Sequence, residues 1–168
     1  PPGCLPAFLS LPYTGCSEKL DNPSSFEQPL SASLSPDSPM ISQVHNVKLQ
    51  QGFVIEASFV YKNGTQKFNI NLLKGNQNFN IFHLDFRPHP HGHVIVMNTN
   101  PAKNWEKEIR AGLPQLKDGE LSHVTIECGG GGFRVKINDS YIEKTFPYRY
   151  PLDDVAMIKL NHGSLGNK

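Results

Sequence analysis

FNIFHLDFRPHPHGHVIVMNTNPAKNWEKEIR, from Phe79 to Arg110, is the stretch from which the fold can be read. Between Phe82 and Arg87 it has a period of two. Phe82, Leu84 and Phe86 fall on one side of a strand, and His83, Asp85 and Arg87 on the other, because successive strand side chains point to opposite faces. The first set predicts core and the second a row of hydrogen-bonding groups facing outward. After a turn of proline, histidine and glycine, HVIVMN reads as a returning strand that ends at Asn98. Trp105, the single tryptophan, follows among Lys103, Asn104, Glu106 and Lys107, a polar setting that predicts a loop. Glu108 and Arg110, two apart, share a strand face.

Outward from this stretch the same grammar repeats. LQQGFVIEASFVYKNGTQKFNINLL holds two alternating runs joined at Asn63-Gly64, a pair that accepts positive φ and predicts a hairpin between them. LSHVTIECGGGGFRVKINDSYIEKTF reads as strand, glycine turn, strand, tight turn, strand, with Phe133, Val135 and Ile137 inward and Arg134 and Lys136 outward. A phosphate cradle at Gly129–Gly132 would need a helix after it, and a strand follows instead. Helical periodicity of any length is absent, so an all-β sandwich or barrel is expected. Asn63-Gly64-Thr65 and Asn138-Asp139-Ser140 are also glycosylation sequons, but both coincide with turn signals.

The chain has 168 residues and a formal net charge of +1, one domain's worth with no basic stripe for a nucleic acid. Its apolar runs are too short to span a bilayer. The start, PPGCLPAFLSLPYTG, lacks a secretory signal pattern. Cys4, Cys16 and Cys128 form an odd set without metal-ligand spacing and read as reduced thiols. Residues 1–40, rich in Pro and Ser, read as an arm or linker in which Ala7 to Leu11 is apolar enough for a strand, and 41–168 as the folded domain.

His83-Leu84-Asp85-Phe86-Arg87, then Val96-Met97-Asn98, then Trp105-Glu106-Lys107-Glu108-Ile109-Arg110 together resemble the carbohydrate-recognition motif of the galectins, His-x-Asn-x-Arg, Val-x-Asn and Trp-x-x-Glu-x-Arg. Six of the seven polar or aromatic positions match, and Asp85 stands where the family has asparagine. The resemblance runs from about Leu49 to Gly163. It implies a jelly-roll β-sandwich of two antiparallel sheets and non-covalent, metal-independent binding of β-galactosides such as lactose and N-acetyllactosamine on glycoproteins or glycolipids. It also implies a cytosolic protein exported without a signal peptide. His83, Asp85, Arg87, Asn98, Trp105, Glu108 and Arg110 are the expected sugar-binding residues, with no cofactor, no nucleic acid and no membrane insertion. In the family the tryptophan lies flat on the apolar face of galactose, a C–H to aromatic contact that costs little side-chain entropy. Histidine, arginine and asparagine that hydrogen-bond the axial 4-hydroxyl would be left unpaired by glucose, which is how polar sites discriminate. Arg110 would reach the second sugar, a task suited to its fixed fork.

Rival readings attach to particular residues. Alone, a single tryptophan reads as core, His83 as a satisfied strand histidine, and Glu108 with Arg110 as a surface ion pair of small energetic value. His89, His91 and His93 suggest a metal, but Pro88, Pro90 and Gly92 interrupt them and no fourth ligand is indicated. Asp85 and Glu108 could serve a glycosidase, which needs two carboxylates roughly 5–9.5 Å apart. The nearby Arg87 and Arg110 suit them better to accepting hydrogen bonds. Asp85 also leaves open an interaction module with weakened sugar binding, and it predicts a close contact with Arg87. The chain ends soon after Asn161-His162-Gly163, where galectins continue into another strand. A bare sheet edge invites pairing, so either the Ala7–Leu11 piece or a second subunit, in a homodimer, is expected to cover it.

Overall fold

The computed structural model describes residues 7–10, 32–34, 40–61, 66–75, 78–88 and 92–164. In chain order the strands are β1 (Ala7–Ser10), β2 (Ala32–Leu34), β3 (Met40–His45), β4 (Val54–Val60), β5 (Gln66–Lys74), β6 (Asn80–Arg87) and β7 (Val94–Asn100). There follow β8 (Ile109–Gly112), β9 (Leu121–Cys128), β10 (Gly132–Ile137), β11 (Ser140–Tyr141), β12 (Phe146–Pro147) and, after one 3-10 turn at Leu152–Asp154, β13 (Val155–Ser164). They pair into two antiparallel sheets. One runs β11-β10-β9-β4-β1-β2, with β12 also on β10; the other runs β3-β13-β5-β6-β7-β8.

The two sheets bury their facing apolar rows against each other, as a sandwich requires. Phe82, Leu84 and Phe86 on β6 are almost fully buried, and so are Phe133, Val135 and Ile137 on β10. Two aromatic stacks bridge the layers. Phe59 of β4 lies on Phe68 of β5 at 4.2 Å between centroids, and Phe82 lies on Phe133 at 4.4 Å. Phe86 meets the first pair obliquely, and Phe146 flanks the second. Burial of each ring is worth about 2–3 kcal/mol, and a well-placed aromatic pair adds about 1 kcal/mol.

One sequence expectation is corrected. β4 and β5 are not a hairpin: β4 pairs with β9 and β1, and β5 with β13 and β6, in the opposite sheet. The chain changes sheets between them, and Asn63-Gly64 lies outside the described residues. The cause is the apolar face on each strand. A hairpin would leave Ile55, Ala57 and Phe59 beside Phe68, Ile70 and Leu72 in one sheet, whereas crossing over places the two rows face to face.

The tight turn at Asn138 and Asp139 is as expected, with φ of 49° and 70°. The Asn138 side-chain oxygen accepts from the His123 amide at 2.8 Å. In the glycine run, Gly132 lies where β12 crosses close by: a Cβ there would be 2.3 Å from the Phe146 carbonyl oxygen. Cys128 is buried, and burial pushes its thiol up to about 12; Cys4 and Cys16 lie outside the described residues.

Two short strands come from the first forty residues. β1 pairs along β4, from Ala7 opposite Phe59 to Ser10 opposite Glu56, and β2 pairs with β1. The flank of β4 away from β9 is therefore covered by the N-terminal piece. Among the described residues no helix is long and apolar enough to cross a membrane.

Candidate functional site

Strands β6, β7 and β8 carry five of the candidate residues, and the segment between β7 and β8 carries Trp105 and Glu108. Register sets two rows across them. His83 stands opposite Asn71 on β5 and Asn98 on β7. Asp85 stands opposite Asn69 and Val96, and Val96 in turn opposite Arg110 on β8. Arg87 lies one step farther along β6, opposite Val94.

Trp105 is 53% exposed, the most exposed large apolar side chain among the described residues. Its ring lies against that of His83, with centroids 4.7 Å apart and planes at 50°. That exposure leaves an aromatic surface open to solvent, and the contact with His83 places it beside the polar row.

The two arginines are each engaged by the acid two residues before them. Arg87 Nε donates to Asp85 Oδ2 at 3.0 Å, the contact expected from the sequence, and Arg110 Nε donates to Glu108 Oε1 at 2.8 Å. The two pairs differ in setting. Asp85 is only 6% exposed, and its second oxygen is buried without a hydrogen-bond partner, whereas Glu108 and Arg110 are both open to solvent. Each arginine uses Nε for its acid, and the guanidinium has further donors at its end.

Asn98 stands across from His83 on the same face of the sheet but is set deeper. It is 3% exposed and its amide serves the tryptophan loop: Nδ2 donates to the Glu106 carbonyl at 2.9 Å, while Oδ1 accepts from the Thr99 amide and from Arg149 Nη1 at 3.2 Å. Arg149 also donates to Thr99 Oγ1 and to the Lys107 carbonyl. The Glu106 carboxylate accepts from Thr99 Oγ1 and from the Tyr150 hydroxyl at 2.9 Å. These two bonds, with the charge of Arg149, hold Glu106 below the usual carboxylate range; burial and the Glu106 contact push Tyr150 up. Trp105 is thus displayed from a loop fastened at both flanks.

Behind His83 is a second network. His83 Nδ1 is 2.5 Å from Asn71 Oδ1, which also accepts from Asn80 Nδ2. Asn71 Nδ2 donates to Asn69 Oδ1, and Asn161 Nδ2 on β13 donates to the same oxygen at 2.7 Å. Asn69 and Asn71 alternate in KFNINLL as His83 and Asp85 do in FHLDF, so the period of two could have found them. Arg149 and Tyr150 carry no such signal, since their partners lie more than forty residues away.

Of the three clustered histidines only His93 is among the described residues, exposed and at φ 53°. Among the described residues no group of three His, Cys, Asp or Glu side chains is arranged to hold a metal.

Comparison with known proteins identifies the family. Residues 39–164 match the family model described as galactoside-binding lectin. Human galectin-2 is 27% identical over 121 residues, which is 72% of this chain and 89% of galectin-2. Among solved structures, a toad ovary galectin in complex with thio-digalactose superposes with a TM-score of 0.64 at 21% identity, over 76% of this chain and 95% of that one. Galectin-Ib of Xenopus laevis gives 0.63 at 23% identity, over 74% and 96%. Sheep galectin-11 gives 0.64 at 18% identity, over 77% and 94%. With the family match spanning most of its length and the jelly-roll sandwich common to these structures, the chain belongs to the galectins, the family of galactoside-binding lectins.

Proposed function

We propose that this galectin binds β-galactosides of the lactose and N-acetyllactosamine type, reversibly and without a metal, on the outward face of β5–β8. The observation that carries the reading is the exposed Trp105 ring beside His83, an apolar plate adjoining a polar row. Galactose has one face of C–H groups and an edge of hydroxyls, and such a surface matches both. In this reading Trp105 stacks on the sugar. His83 and Arg87 read the axial 4-hydroxyl, and Asn98 contributes its remaining amide N–H. Asp85 aims Arg87, and Glu108 with Arg110 contacts the second sugar. The thio-digalactose bound by the toad galectin is a ligand of the same class. Asp85 and Glu108 serve as hydrogen-bond acceptors for arginine here, which favours a lectin over a hydrolase.

The partners are glycoproteins or glycolipids with terminal β-galactose, met in the cytosol and outside the cell. Pairing of two copies through a sheet edge is a further part of the proposal; among the described residues the two sheets end on β11 and β2 and on β3 and β8. Titration calorimetry with lactose in the presence of EDTA tests the central reading. Saturable heat with lactose and none with cellobiose is expected; no heat at millimolar lactose overturns it.

A further inference from the structure

The asparagine network behind His83 has a direction. The Lys159 carbonyl on β13 can only accept, and it faces Asn71 Nδ2 at 3.5 Å; the same nitrogen donates to Asn69 Oδ1 at 2.8 Å. With the nitrogen of Asn71 committed on that side, its oxygen must face His83 and Asn80. A carbonyl oxygen has no proton to give, so the hydrogen on the short His83 Nδ1 contact belongs to the imidazole. A neutral imidazole carrying its proton on Nδ1 has its lone pair on Nε2.

We propose that Asn71 is a positioning residue: its amide, oriented from β13, holds His83 as the Nδ1–H tautomer and makes Nε2 a hydrogen-bond acceptor for a ligand hydroxyl. The consequence for the ligand rests on the sugar-binding reading above; the tautomer itself does not. Asn69 and Asn161 buttress the arrangement, since Asn161 Nδ2 fills the other lone pair of the oxygen that anchors Asn71. The opposite tautomer would present an N–H to the ligand, and a site already supplied with arginine donors would lose its uncharged acceptor. Protonation of His83 has the same effect. The charged groups on the elements around it are Asp85 and Arg87 on its own strand, Lys159 on β13, Glu106 and Arg149 at the tryptophan loop, and Glu108 and Arg110 at β8.

Long-range proton–nitrogen correlation on the ligand-free, 15N-labelled protein reads the tautomer directly. His83 with a protonated Nδ1 and an unprotonated Nε2 is expected; a protonated Nε2 overturns the proposal, whatever the protein binds. Lactose titrations across pH then test the functional half. Asn71→Leu should lower affinity about tenfold, the loss of one oriented hydrogen bond. Asn71→Asp keeps an acceptor for Nδ1–H but adds a negative charge that favours the imidazolium. Its lactose affinity should therefore begin to fall at a higher pH than in the wild type, a shift that reports the direct Asn71–His83 contact. An unshifted midpoint in a folded Asn71→Asp protein overturns the proposal. Absence of lactose binding by the wild type would strike the sugar reading alone, with the tautomer still decided by the spectrum.

Discussion

Trp105 and His83 lie ring against ring, 4.7 Å between centroids, although the first belongs to a loop and the second to a central strand of the six-stranded sheet. The contact leaves 53% of Trp105 exposed, so the ring contributes little to the core. Trp105→Ala should retain the wild-type melting temperature within a few degrees and lose about 2 kcal/mol or more of lactose binding, as for a central aromatic anchor. Calorimetry and thermal denaturation on the same sample check both halves.

Asp85 replaces the amide of the family pattern with a carboxylate, one oxygen of which is buried and unpartnered. An asparagine would restore an N–H donor and release Arg87 from its acid. Asp85→Asn is expected to strengthen lactose binding by roughly 1 kcal/mol, the scale of one hydrogen bond. Weaker binding would identify the aspartate as adapted to a different glycan.

Gly132 has backbone, not side chain, where a Cβ would go: the Phe146 carbonyl at 2.3 Å and the Pro147 Cα at 2.8 Å. Gly132→Ala must push β12 off β10 and should cost about 2 kcal/mol by overpacking. Gly131→Ala, with open space at its Cβ position, should be far milder. Urea denaturation of the two variants separates them.

Hydrogen bonds from Thr99 and Tyr150 lower the Glu106 pKa in the folded chain. For an acid whose folded value is depressed, the stabilisation is complete above the unfolded carboxylate value, about 4.3, and disappears as pH falls through the folded one. Fluorescence of the single Trp105 should therefore show, beyond any change from protonation of the adjacent His83, a separate transition in stronger acid, below about pH 5. Glu106→Gln should abolish that acid transition while leaving the neutral spectrum close to wild type.

β1 occupies the flank of β4 that would otherwise be an open edge. A chain beginning at residue 39 should expose that edge and associate with itself. Sedimentation velocity should show the shortened chain in larger species than the full one at equal concentration.

The site strands were legible because alternation is a local signal: FHLDF states which side chains share a face without reference to anything distant. The sheet change after Val60 was not, since Asn-Gly specifies how the backbone turns and says nothing about which sheet the next strand joins. Asn98 illustrates a second limit. Its position in Val96-Met97-Asn98 marks the end of a strand, but its hydrogen bond from Arg149 joins positions fifty-one apart, and only the folded chain brings those two together. The tryptophan loop could be read as a loop; its fastening through Glu106 and Tyr150 could not.

The succession β5-β6-β7-β8 has a kinetic consequence. Each of these strands neighbours the next in sequence, so the recognition surface can zip up from short-range encounters. Its supports cannot: Ser58 on β4 meets His123 on β9 sixty-five positions away, and Ala7 must find Phe59. Closing such long loops is slow. Until it happens the meander has Phe82, Leu84 and Phe86 with nothing to cover them. Nascent chain would thus hold a half-assembled, adhesive hairpin array for some time before β9 and β10 emerge, and that interval, more than the finished lectin, is where chaperones would find this polypeptide.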